Sequence, residues 1–176
     1  MTMLTSNLYP QKPHTLLLPA NGSIPNNEKL PALIYTGVLP ASDDLASTAE
    51  ALLTRNGWPT EWRDIVLPYH HYHSTAHEVL AAVAGEGHLI LGGEDGLQVI
   101  VRAGDVLVLP TGFGHKGGCH SDDFLLVVAI RLASIGICAS SHRTIPHASA
   151  WNPCPFLPQT RSSVPMVHSY VSGAVK

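Results

Sequence analysis

The 176-residue chain predicts a mainly β domain, an antiparallel sandwich or barrel, with one helix packed outside it. Three observations carry this. Between residues 65 and 130, short apolar stretches alternate with glycine turns, and no helical pattern intervenes. One amphipathic stripe with capping residues occupies 42–56. At 45% hydrophobic and 13% charged residues, the composition suits a packed core and argues against disorder over most of the chain.

The elements follow in order. His14–Leu18 and Leu33–Tyr35 read as short strands separated by the turn material Pro19-Ala-Asn-Gly22. The helix is expected over 42–56. Ser42 is its N-cap, Asp43 and Asp44 suit the first turn, and Gly57 suits its C-terminal end. Leu45, Ala49, Leu52 and Leu53 share one face at helical spacing, which packs on a sheet. Trp58 and Trp62 are expected to cover the barrel as core. Residues 1–60 thus form N-terminal strands and a helix that pack on a core barrel of residues 61–130. Its strands are expected at Glu78–Ala84, Leu89–Leu91, Leu97–Arg102, Val106–Leu109 and Phe124–Ile130, with Asp95-Gly96 as a hairpin signal.

Charge divides the chain. Six basic and thirteen acidic residues give residues 1–130 a formal −7, whereas 131–176 hold four basic residues and no acid, +4. The latter segment shows neither strand nor helix periodicity and reads as an irregular tail, disordered or divergent. No basic cluster could neutralise a run of phosphates, so nucleic acid is not an expected partner. The longest apolar runs are far short of a membrane span. No basic start leads into an apolar core at the N-terminus, and three scattered cysteines suggest no disulfide scaffold; a cytoplasmic protein is expected. Exposed N-terminal strands can pair across a two-fold axis, which leaves a homodimer open.

Histidine stands out, with seven of eleven between His70 and His120. In Tyr69-His-His-Tyr-His-Ser-Thr-Ala-His-Glu78, His71 and His73 project from one face if the segment is a strand. Glu78 follows on the next strand, and His115 comes after the rigid bend Pro110-Thr-Gly112. Three neutral imidazoles and one carboxylate suit a single divalent transition metal: iron, manganese, nickel, cobalt or zinc. An octahedral ion so held keeps two positions open for a small-molecule ligand or substrate. The competing reading is a barrel whose histidines merely line a polar interior.

These two segments resemble the paired motifs of the cupin superfamily, G-x5-H-x-H-x3,4-E-x6-G and G-x5-P-x-G-x2-H-x3-N. His71, His73, Glu78, Gly85, Gly104, Pro110, Gly112 and His115 match, while Ile65 and Cys119 stand at the opening glycine and closing asparagine. The resemblance implies a jelly-roll barrel with a metal held by His71, His73, Glu78 and His115. The runs IPNN, LPALIYTG, HYHSTAHEVL, LGGEDG, AGDVLVLPTGFGH and SDDFLLVV look like the YjlB-type cupins over residues 14–130, a group whose reaction is not settled. The likeness stops near Arg131, so 131–176 read as a divergent or frame-shifted end. His77 stands at the shorter spacing that the superfamily also allows for a ligand, but it neighbours Glu78 and faces the other way on a strand. His77 and Tyr69 are the candidate catalytic groups. A mononuclear metalloenzyme with dioxygenase-, isomerase- or decarboxylase-like chemistry is the leading reading. A non-catalytic ligand-binding or sensor barrel is the alternative, and a structural dimerisation platform is a third.

Overall fold

The computed structural model describes residues 12–132, so the expectation for the tail lies outside the described residues. The elements are β1 (His14–Leu16), β2 (Ala32–Tyr35), α1 (Leu45–Arg55), β3 (Thr60–Asp64), β4 (Ala76–Ala84), β5 (Glu86–Leu91), β6 (Leu97–Arg102), β7 (Val106–Leu109), β8 (His115–His120) and β9 (Leu125–Leu132). A six-stranded antiparallel sheet has the order β1-β2-β7-β4-β9-β3, and a three-stranded one has the order β6-β5-β8. The two enclose one core in a jelly-roll barrel, with the helix packed outside. β2 pairs with β7, so residues 32–35 belong to the larger sheet itself.

Strand β4 shows how the layers form. Its apolar run is nearly continuous because both faces are covered. Leu80 and Ala82 point inward, to Leu89, Leu91, Val101, Leu107, Phe113 and Leu126 between the sheets. Val79, Ala81 and Val83 point outward and pack under Ala49 and Leu53 of α1. At ~25 cal/mol per Å² of apolar surface removed from water, this double burial makes β4 the axis of the domain.

The helix starts later than its sequence suggested. Asp44, not Ser42, is the N-cap: its Oδ1 accepts from the Ser47 N–H at 3.0 Å. Ser42 lies further out, and its hydroxyl accepts from the Asp44 N–H at 3.2 Å. Of the two, only Asp44 sits where its oxygen reaches the third helical amide. The C-terminal end closes as a Schellman motif, with Gly57 N–H to Thr54 O at 3.0 Å and Trp58 N–H to Leu53 O at 2.9 Å.

Other expectations need correction. Trp58 packs against the outer layer, but Trp62 is 46% exposed, because β3 is an edge strand paired only with β9. TEWRD forms β3 without any apolar alternation to announce it, and β8, which carries His115 after the Pro110-Thr-Gly112 bend, likewise shows none in HKGGCH. The His71–His73 segment is not a regular strand; His71 forms a single antiparallel bridge to His115. Among the described residues no helix is long and apolar enough to cross a membrane.

Candidate metal centre

Three chain segments converge at one end of the barrel. The first is the extended stretch 67–73, which runs beside β8: the Gly117 N–H donates to Leu67 O at 2.8 Å, and His71 and His115 exchange both backbone bonds, at 3.1 and 3.0 Å. The second is the start of β4, where inward parity places Glu78 with Leu80 and Ala82. The third is the loop 110–114, which delivers His115.

His71, His73 and His115 each offer a ring nitrogen, and these three atoms lie within 4.8 Å of one another. The Glu78 Oε2 lies 2.9 Å from His115 Nε2 and 3.5 Å from His73 Nε2. The rings of His71 and His115 are 4.1 Å apart between centroids. Glu78 and His115 are 4% and 1% exposed, whereas His71 and His73 are half-buried.

Backbone carbonyls set the imidazoles. His71 Nδ1 is 3.1 Å from Tyr69 O, and His115 Nδ1 is 3.3 Å from Phe113 O. A carbonyl only accepts, so each Nδ1 is the donor in these contacts and each Nε2 is turned toward the site. Burial, then the neighbouring His115, pushes the His71 pKa down to about 4. The contact with Glu78 raises that of His73 and outweighs burial. Burial would raise the Glu78 carboxyl, but its contacts with His115 and His73 prevail and hold it at about 2. Near neutral pH the carboxylate is therefore ionised and His71 is neutral.

This arrangement lacks one partner. Glu78 Oε2 is buried, and despite the short distance to His115 no hydrogen bond is aligned with it. With Nδ1 turned to Phe113 O, His115 directs Nε2 at a buried carboxylate oxygen that no hydrogen bond satisfies, a place where a cation would be favourable. Ligand bonds of ~2.1 Å at right angles put neighbouring donor atoms ~3.0 Å apart, close to the 2.9 and 3.5 Å found. The residues present fit a divalent ion.

The other sequence-selected residues lie around this set. His77 leaves β4 on the opposite face from Glu78, and its Nδ1 accepts from the Thr111 N–H at 3.1 Å. The Tyr69 ring is half-buried with its centroid 5.7 Å from that of His71. Sequence reasoning did not single out Thr111, Asn26 or Asn27. Thr111 Oγ1 and Gly112 N–H both donate to His73 O, at 3.1 and 2.8 Å. Asn26 and Asn27 bond to the same loop. No local pattern flags contacts between residues so far apart in the chain.

The cupin domain family matches residues 65–131. The uncharacterized protein YjlB of Bacillus subtilis is 40% identical over 115 residues, covering 65% of this chain and 67% of that protein. Among solved structures, a DUF861 family protein from Thermotoga maritima is 20% identical, with TM-score 0.36, over 55% of this chain and 96% of its own. An acireductone dioxygenase from Bacillus anthracis, with a cadmium ion in its active centre, is 23% identical, with TM-score 0.35, over 57% of this chain and 76% of its own.

Proposed function

The chain belongs to the cupin family as a relative of YjlB, and from that premise we propose that it is a mononuclear metalloenzyme acting on a small organic molecule. The ligands are His71, His73, Glu78 and His115, and the metal is one of iron, manganese, nickel, cobalt or zinc. The observation that carries this reading is the orphaned Glu78 Oε2 among three imidazoles. A bound divalent ion supplies Lewis acidity toward a substrate oxygen pair and, as iron, the redox capacity for dioxygenase-like chemistry; isomerase- and decarboxylase-like chemistry need the acidity alone.

The chain's own residues do the rest. Phe113 O and Tyr69 O hold two imidazoles in the ligating tautomer. Tyr69 stands beside His71 and is the candidate to orient substrate or move a proton. The apolar floor of Leu80, Leu109 and Phe113 excludes water from beneath the site.

One observation favours the second reading, a ligand-binding or sensor barrel. His77, one of two candidate bases, has its Nδ1 engaged by the Thr111 amide and faces away from Glu78. Oxygen uptake and product analysis on chain loaded with Fe(II), Mn(II), Ni(II), Co(II) or Zn(II), screened against small hydroxy- and keto-acids, separate the two. Turnover lost in Tyr69→Phe with metal retained supports the enzyme. Saturable ligand binding without turnover for any metal supports the sensor.

A further inference from the structure

We infer that Asn26, with Asn27 beside it, is a positioning residue that sets His115 for the metal; this rests on the metal reading above. Asn26 is only 6% exposed and adopts φ +49, in the left-handed region that asparagine tolerates better than most residues. Its side chain is fully spent on backbone. Nδ2 donates to Pro19 O at 2.7 Å and to Gly92 O at 3.0 Å, while Oδ1 accepts from the Gly114 N–H at 3.0 Å. Gly92 N–H in turn donates to Gly114 O at 2.7 Å. Gly114, the residue immediately before His115, is thus held at both its N–H and its C=O. Asn27 Nδ2 reaches the Thr111 carbonyl of the same loop at 3.1 Å.

Close packing adds to these bonds. A Cβ on Gly112, at φ +82, would meet Asn26 O at 2.9 Å, and one on Gly114 would run into Ile24 Cγ2. The ligand loop therefore lies flat on Ile24–Asn26, and glycine is what permits the approach. Only an amide has the two donors and one acceptor that this clip uses. Aspartate keeps the acceptor for Gly114 but sets a carboxylate against two carbonyls. Glycine keeps the backbone conformation and loses every bond. Groups that orient a ligand in this way typically contribute ten- to a hundredfold in metal affinity.

The test is cobalt(II) titration followed by visible absorption, with thermal melting recorded for each protein. Asn26→Gly is expected to bind cobalt about ten- to a hundredfold more weakly, with altered band positions. Asn26→Asp, which keeps the Gly114 bond, is expected to be destabilised yet nearer the parent in spectrum. Leu53→Ala, destabilised in the outer layer, is expected to bind like the parent. A folded Asn26→Gly with parent affinity and spectrum overturns the assignment alone. If Asn26→Gly does not fold, Asn27→Ala decides: weaker binding with a shifted spectrum supports the brace, and parent-like binding overturns it. No cobalt uptake by the parent overturns the metal reading and this inference together.

Discussion

Glu78 Oε2 and His115 Nε2 lie 2.9 Å apart in the buried floor of the site, with His115 Nδ1 turned to Phe113 O. In the reading proposed above, these two atoms are ligands of one cation.

Glu78→Gln follows from this. It removes a carboxylate that lies 2.9 Å from His115 Nε2 and 3.5 Å from His73 Nε2. Because the folded chain holds the Glu78 carboxyl at about 2, below its ordinary value, the charge stabilises the metal-free fold; the variant is expected to melt below the parent's temperature, and its metal affinity falls by at least tenfold. Calorimetry with and without added cobalt checks both. Parent-like metal affinity in a destabilised variant would show that Glu78 serves the fold alone.

Metal uptake is expected to weaken as pH falls. Glu78, at about 2, is already ionised and His71, at about 4, already neutral. Glu78 raises the His73 pKa, so the metal-free site holds a proton there to higher pH than a free imidazole does, and the metal competes with it. Below the pKa of His73 the apparent affinity drops with each step of acidification; above it the dependence on this residue ends. Cobalt titrations between about pH 6 and 8 measure this, and a flat profile would contradict it.

His77 is expected to position rather than react. Its Nδ1 holds the Thr111 N–H, and Thr111 Oγ1 holds His73 O. His77→Ala is expected to weaken metal binding several-fold, and His77→Asn, which keeps an acceptor, is expected to restore most of it. Full metal affinity in His77→Ala together with lost turnover would make His77 a catalytic base.

The outer layer is expected to be energetically separate from the site. Leu53 packs on Val79, Ala81 and Val127, on the face of β4 away from Glu78. Leu53→Ala should cost about 2–5 kcal/mol of stability, read by denaturant unfolding, with metal affinity unchanged. A parallel loss of affinity would mean that the two layers are coupled.

The sequence was readable where a periodic apolar pattern coincided with a local rule. β6, β7 and β9 are runs rich in branched apolar residues, with Gly96 and Gly104 marking the turns at β6 and β7, β4 is a mostly apolar run that ends at Gly85, and α1 shows its buried stripe of Ala49 and Leu53. β3 was hidden because an edge strand with four exposed residues needs no alternation. The extent of β8 showed no periodicity because its glycines serve close approach: a Cβ on Gly117 would run into Val66 O. At the site, the spacing of His71, His73, Glu78 and His115 was visible, because two short motifs carry all four. The bonds that orient them were not, since Asn26 reaches Gly114 across 88 residues and His77 reaches Thr111 across 34. Such contacts exist only once the barrel has closed.

The central claim is tested most directly by elemental mass spectrometry on protein purified without a histidine tag, beside His73→Ala and His115→Ala. The account predicts about one transition metal per chain in the parent and its loss in both variants, with each variant still folded. A parent that carries no metal and takes none up on titration would contradict it.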